Sequence, residues 1–545
     1  MATRRQPLMR AVIPPGWLIP GLLAAGGVAG VALAAFTTLW LSAAGNGGGL
    51  QAREILQDSY LWHVVRFSFW QAFLSTLFAV LPAIPLARSL SRRHFAGRTL
   101  LLRLCAMTLV LPVLVAIFGL LTVYGREGWL AALCRLLGLE WQFSPYGLGG
   151  ILLAHVFFNL PMATRLLLQA LEQIPREQRQ LAAQLGMTNG YLFRLVEWPW
   201  LRRQILPVAA LIFMLCFASF ATVLALGGGP QATTIELAIY QALSFDYDPG
   251  KAALLALIQM SCCLGLMLLS QRFSPSLPAG TTRQPDWHNP EDSWLSRCAD
   301  TLLIGTFLLL LVPPLLAVIV DGLNRDILLV LRAPALWQAL GTSLRIALGA
   351  GILCVVLTMM LLWSSRELRL RQRLLAGQCL ELSGTVILAM PGIVLATGFF
   401  LLFSQTSGLP GHPDGIVIFT NALMAIPYAM KVLDNPMRDV AGRYSRLCQS
   451  LGISGYRRLY WIELRALSRP LAQALAFACV LSMGDFGVVA LFGSDDFRTL
   501  PFWLYQQMGA YRGQQGAVTA LILLLLCFML FSLIERLPER HANPE

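Results

Sequence analysis

Apolar residues in this chain come in long blocks separated by short polar stretches, and the blocks recur from one end to the other. A helix needs roughly 20 mostly apolar residues to cross a hydrocarbon core of about 30 Å. Stretches of that size predict twelve spans. Six fall near 16–43, 62–87, 104–123, 147–169, 204–226 and 252–270. Six more fall near 299–320, 338–363, 377–403, 414–433, 470–492 and 516–534. The expected fold class is all-α, a polytopic membrane protein with the lipid bilayer as its first partner. Arg4, Arg5 and Arg10 precede the first block and Ser42-Ala43-Ala44 follows it, which is the outline of a secretory signal. The block is too long for a signal core and more spans follow, so a retained helix is expected.

The blocks also repeat. Leu181-Ala182-Ala183-Gln184-Leu185-Gly186 matches Leu447-Cys448-Gln449-Ser450-Leu451-Gly452, and Val196-Glu197 matches Ile462-Glu463, all at an offset of 266. The same offset pairs Leu160-Pro161-Met162-Ala163 with Ile426-Pro427-Tyr428-Ala429, Phe220 with Phe486, Val223 with Val489 and Gly227 with Gly493. With a one-residue shift Ile239-Tyr240-Gln241 falls on Leu504-Tyr505-Gln506, and further upstream Leu111-Pro112 resembles Met390-Pro391. Each half holds six spans, so equivalent loops share a side of the membrane. The repeat is therefore parallel, about a pseudo-two-fold axis along the membrane normal, with a pathway expected where the halves meet. The predicted organisation is a tail and first helix over 1–57, a first domain over 58–270 and a cytoplasmic linker over 271–298. A seventh helix with its outer loop (299–333), a second domain (334–534) and a tail (535–545) complete it.

Charge sharpens the topology. Only 13% of residues are charged and 57% are hydrophobic, whereas soluble proteins carry about 25% charged residues. The net charge of +13 could suggest a nucleic-acid partner. Its distribution excludes that reading, because the arginines crowd alternate loops: Arg88, Arg92, Arg93 and Arg98; Arg176, Arg179, Arg194, Arg202 and Arg203; Arg438, Arg443, Arg457, Arg458, Arg465 and Arg469. The intervening loops hold acids such as Asp246, Asp248, Asp495 and Asp496. This is the positive-inside bias, and it places both termini in the cytoplasm. The eleven cysteines show no metal-ligand spacing, and most sit in apolar spans, where a thiol behaves as a small hydrophobe.

Two arginine-rich loops, 170–203 and 434–469, are longer than the rest and occupy corresponding positions of the repeat. Each predicts a short helix ended by glycine, Gly186 or Gly452, then a turn and a second helix running into the next span. Tyr191, Phe193, Leu195 and Trp198 in the first copy, and Tyr456, Leu459 and Trp461 in the second, offer apolar anchors. Such an element suits docking into a groove on a soluble partner; the alternative is an amphipathic loop lying on lipid headgroups.

Glu177, Ala182-Ala183, Gly186, Val196, Glu197 and Pro199 resemble the EAA loop of binding-protein-dependent ABC importer permeases, and Gly452, Ile462 and Glu463 resemble its second copy. Cys448-Gln449 replaces the alanine pair there, and Arg465 stands where Pro199 does. The resemblance covers nearly the whole chain and implies two tandem MetI-like type I permease halves. It also implies that these loops couple to an ABC ATPase homodimer, which binds ATP and magnesium, and that a periplasmic substrate-binding protein delivers the cargo. The stretches His155–Arg165, Gly227–Glu236, Ser482–Gly487 and Asp495–Pro501 are similar to the thiamine-importer branch of that family, which implies thiamine or thiamine phosphates as cargo and the bacterial inner membrane as location. Fused halves also occur in ferric-iron permeases.

Energy must come from outside the chain. The two lysines are Lys251 and Lys431, and neither stands in a G-x-x-x-x-G-K-[ST] phosphate loop. The chain is therefore expected to be non-catalytic, with no cofactor of its own. An ion-coupled carrier is the main rival, and it would place ionisable groups in mid-membrane. Asp485, in the eleventh span, is the clearest candidate for a substrate pathway, and its repeat mate is Ser219. Asp485 could attract a cationic cargo or hold a gate, or it could accept hydrogen bonds from a neighbouring helix, with Arg345 as a possible partner. His63 and His155 lie near the starts of their spans without a second ligand at metal spacing, and read as interfacial anchors. Tyr240, Phe502, Trp503 and Tyr505 read the same way. The glycines at 227–229 and Gly493-Ser494 read as outer turns.

Overall fold

The computed structural model describes residues 18–44, 57–108, 110–273, 293–370, 373–406, 413–453, 455–494 and 496–536. Most of the expected linker (274–292), both chain tails and Asp495 lie outside the described residues. Within the described residues every regular element is a helix. Among the described residues, eleven helical stretches are long and apolar enough to cross a membrane. They are rich in Leu, Ala, Val and Ile, and several carry local start signals. The carboxylate of Asp58, for instance, accepts the Tyr60 N–H at 2.9 Å and caps Ser59–Arg92.

The ninth expected span, 377–403, is built from two shorter helices, Leu374–Thr385 and Gly392–Thr406, joined by a 3-10 turn and Pro391. Its repeat counterpart, expected at 104–123, is likewise split into Arg98–Met107 and Val113–Tyr124 ahead of Pro112. Proline has no N–H to donate and pushes the preceding residue out of helical geometry, which accounts for both breaks. A second pair of breaks divides the expected spans 204–226 and 470–492. The first becomes Trp198–Phe217 and Phe220–Leu226; the second becomes Ser468–Gly484 and Gly487–Phe492.

The chain forms two compact units, and neither coincides with a half of the repeat. One comprises residues 39–342 and 484–527. Here Ser59–Arg92 lies along Leu148–Glu172 and Trp198–Phe217. The seventh span, Trp294–Gly322, packs on Val113–Tyr124, where a methyl group at Gly119 would overlap the Pro314 carbonyl. Asp300 at its start is buried and ion-paired to Arg92 (2.6 Å) and Arg93 (2.7 Å). The other unit comprises 1–38, 343–483 and 528–545. Its core includes Ala24, Val28, Cys354, Leu361, Leu423 and Ile426. The first span joins this core: Gly21 N–H donates to Ser364 Oγ at 3.0 Å, and a methyl group at Gly398 would sit 2.8 Å from Ala35 Cβ. Gly119 and Gly398, like Ala35 and Pro314, are 279 residues apart. The leading helix of each half therefore crosses the proline-started helix of the opposite half, and does so at the same glycine. Small residues at a crossing let backbones approach closely, the usual basis of helix association in lipid.

His155 departs from expectation. It is buried and not interfacial, with Nδ1 2.8 Å from Ser75 Oγ. A ring on the inward face of Leu148–Glu172 is sealed by the neighbouring helix Ser59–Arg92, and sequence position alone does not reveal that. His63 remains exposed, 3.2 Å from the Gln231 carbonyl.

Candidate functional site

Both arginine-rich loops are built to one plan. In the first, Pro175 ends the span helix and Arg176–Gln184 follows, with exposed Glu177 in its first turn, where a carboxylate is favoured by the helix dipole. Gly186 adopts φ +62°. Gly186 N–H bonds to the Ala183 carbonyl at 3.0 Å and Met187 N–H to that of Ala182 at 3.1 Å. This closes the helix by a Schellman motif, which requires the left-handed conformation that glycine adopts without strain. Gly452 repeats the motif at φ +65°, with Ile453 N–H on the Cys448 carbonyl at 2.9 Å.

The second copy lacks the separate short helix expected from the sequence. Its span helix runs unbroken over Asp414–Ser450, about 56 Å at 1.5 Å per residue, far beyond the hydrocarbon core. The difference traces to one position: Pro175 corresponds to Ala441, which lets the helix continue.

Beyond each glycine the chain makes one wide turn of π-helix, Phe193–Glu197 in one copy and Leu459–Glu463 in the other. The turn rotates its glutamate inward. Glu197 is buried and ion-paired to Arg88 Nε at 2.5 Å, while Arg88 also donates to the Asn189 carbonyl and lies 4.6 Å from the Phe193 ring centroid. Glu463 is 0% exposed. Arg366 (2.9 Å) and Arg458 (2.8 Å) hold it, with Glu367 beside both. Arg88 and Arg366 sit near the ends of corresponding helices, Ser59–Arg92 and Pro334–Leu370. Each loop is thus latched to another span helix of its own half. The sequence pointed to the glutamates but not to these arginines, whose partners become visible only once the π turn sets the glutamate's direction.

The outward faces are apolar. Leu181, Leu185, Leu195 and Trp198 are exposed in one copy, and Leu447, Leu451, Trp461 and Leu464 in the other, matched one for one at the 266 offset. Tyr191 is also exposed, whereas Phe193 is half-buried on Arg88 and Leu459 packs into the core. The side chain of Tyr456 lies outside the described residues. Ala182 is buried, and Ala183, Val196 and Ile462 are half-buried, so they set the spacing of the turn.

Asp485 and Ser219 lie far from the loops in sequence, at the second pair of helix breaks. Asp485 accepts the N–H groups of Gly487 and Val488, each at 3.3 Å, and so caps Gly487–Phe492. Ser219 Oγ donates to the Cys216 carbonyl at 2.8 Å. Arg345, considered as a partner for Asp485, pairs instead with Asp414 at 2.8 Å. Near Ser219, Glu236 is buried, with Gln259 Nε2 3.4 Å from its carboxylate. Burial pushes its carboxyl up to about 8, only partly offset by the Phe220 N–H and by Gln259. Its position inside the apolar run Ile235–Ile239 was the available sequence signal.

A sequence profile of the family described as "Binding-protein-dependent transport system inner membrane component" matches residues 75–277 and 368–540, one segment in each half. The chain is 73% identical to the thiamine transport system permease protein ThiP of Escherichia coli, over 100% of both chains. It is 72% identical to that of Salmonella typhimurium, again over 100% of both. It is 46% identical to that of Haemophilus influenzae, over 90% of this chain and 91% of the other.

Proposed function

Because the chain belongs to the family of binding-protein-dependent transport system inner membrane components, we propose that it is the permease of an importer carrying thiamine and its phosphates across the bacterial inner membrane. In this reading both termini lie in the cytoplasm, a periplasmic substrate-binding protein delivers cargo, and a separate ATPase homodimer binds and hydrolyses ATP with magnesium. The chain itself contributes no catalytic group.

The observation that carries the proposal is the pairing of a matched exposed apolar face with a buried glutamate latch in each loop. Four large, partly exposed apolar side chains on each loop favour a partner over water, each worth about 1 kcal/mol when its remaining surface is buried. A groove on each ATPase subunit accepts one such face. When the ATPase dimer closes, the docked loops are drawn with it. The latches at Glu197–Arg88 and Glu463–Arg366 pass that displacement into the span helices, switching access to the pathway from one side to the other. The thiamine cargo is supported by full-length similarity to relatives bearing that name.

Docking is tested with Leu185→Asp and Leu451→Asp. Both positions are exposed, so the fold tolerates the change, and the expected result is loss of ATPase co-purification with a permease that still inserts. Undiminished co-purification of the doubly substituted permease contradicts the docking assignment.

A further inference from the structure

The second pair of helix breaks brings four rings together within one compact unit. Phe220 opens Phe220–Leu226, and Phe486 stands immediately before Gly487–Phe492. Their rings stack, with centroids 6.2 Å apart and planes 17° from parallel. Tyr240 meets Phe220 edge-on at 5.5 Å, and Tyr505 tilts onto Phe486 at 5.0 Å. Phe220 is 5% exposed and Phe486 2%.

These are two repeat pairs, 220 with 486 and 240 with 505. A residue touches its own repeat mate only where both straddle the axis relating the halves. That axis is also where a pathway between parallel repeats runs. The helix Trp198–Phe217 begins within the first docking loop and runs 20 residues, a rise of about 30 Å, to the break before Phe220. The stack therefore lies well away from the first docking loop, toward the outer end of the pathway. Acids adjoin the stacked pair: Asp485 precedes Phe486 in the chain, and the Glu236 carboxyl accepts the Phe220 N–H.

We propose that Phe220, Phe486, Tyr240 and Tyr505 form the outer seal of the pathway and, when parted, the subsite that receives an organic cation. Closed, the stacked phenyl rings exclude water and ions. Opened, the same ring faces present the negative side of their quadrupoles to a passing cation, an attraction that strengthens as water is excluded. The cargo half of this inference rests on the thiamine reading, since a thiazolium ring carries a permanent positive charge; the sealing half does not.

The test uses the complete permease–ATPase complex in vesicles, with two readouts. Without nucleotide, choline trapped inside should leak about tenfold faster through Phe220→Ala/Phe486→Ala than through the unaltered protein, because tightness rests on the stacked pair. Unchanged leakage overturns the seal. With ATP and the substrate-binding protein, Phe220→Leu/Phe486→Leu should take up thiamine about tenfold less per ATP hydrolysed, whereas Phe220→Tyr/Phe486→Tyr stays within about threefold, because leucine keeps the bulk and loses the ring face. Equal uptake by the leucine variant, or equal loss in the tyrosine variant, overturns the cation subsite. Should a double variant fail to assemble with the ATPase, the single substitutions, each leaving one ring, are read in the same way. An unaltered complex that retains choline yet takes up no thiamine refutes the cargo assignment and leaves the seal standing.

Discussion

Replacing Glu463 by glutamine removes the charge from the most enclosed ion pair in either loop. The carboxylate is 0% exposed, with Arg366 at 2.9 Å and Arg458 at 2.8 Å. Removing one partner of a buried pair costs about 3–5 kcal/mol when the other is left uncompensated. Compensation here is partial, because Glu367 remains 3.4 Å from Arg366 and 3.9 Å from Arg458, and glutamine keeps an oxygen acceptor. A loss of about 2–3 kcal/mol follows, the upper part of the range of about 1.5–3 kcal/mol for hydrogen bonds to charged groups. Glu197→Gln should cost less, about 1–2 kcal/mol, since its ion-pair partner Arg88 has a side chain that is 17% exposed and has the Asn189 carbonyl as a second acceptor. The assay is thermal denaturation of the purified permease in lipid nanodiscs, followed by cargo uptake per ATP in the reconstituted complex. Glu463→Gln should melt lowest, Glu197→Gln between it and the unaltered protein, and both should hydrolyse ATP with reduced uptake. If both melt with the unaltered protein and keep its uptake per ATP, the glutamates are not latches and the force path described above is wrong.

Gly186→Val should lower uptake per ATP without preventing insertion: a Cβ there meets nothing within 4 Å, so the penalty is the left-handed backbone alone, about 1–2 kcal/mol; uptake equal to the unaltered protein contradicts this. Gly398→Leu should destabilise by about 1–3 kcal/mol through overpacking, because its first added atom already sits 2.8 Å from Ala35 Cβ; a melting curve that does not move contradicts the crossing. The raised Glu236 carboxyl predicts a pH effect. The neutral form is favoured in the folded state, so the stability it confers is complete below the unfolded value near 4.5 and disappears as pH rises through about 8. Melting temperature should accordingly fall between those limits in the unaltered protein and less so in Glu236→Gln; identical pH profiles contradict the assignment.

Much of this architecture was legible in the sequence because its causes are local. Span positions follow from apolar run lengths, but the breaks at Pro112 and Pro391 fall inside spans expected to be continuous, although the missing N–H that causes them stands in the sequence. The loop glycines announced their left-handed turns by standing after a helical pattern. What stayed hidden depends on packing at a distance. Ala218 and Ser219 carry no breaker signal, yet the helix stops there, opposite the break at Asp485 in the other half. The π turns leave no compositional mark, so the inward swing of Glu197 and Glu463 onto Arg88 and Arg366 could not be read in advance. Asp485 was legible as an unusual charge, but its use as a cap for Gly487–Phe492 depends on where the helix breaks. The exchange of leading helices, with Gly119 and Gly398 as crossing points, is a property of tertiary pairing that no single segment specifies.

The claim on which everything else depends is that an external ATPase moves cargo through this chain by way of its two latched loops. Its most direct test is thiamine accumulation in vesicles holding the permease, the ATPase and the substrate-binding protein. Accumulation should require ATP and collapse when Leu185→Asp and Leu451→Asp are combined. Uphill uptake driven by a proton gradient, with no nucleotide present, would contradict it.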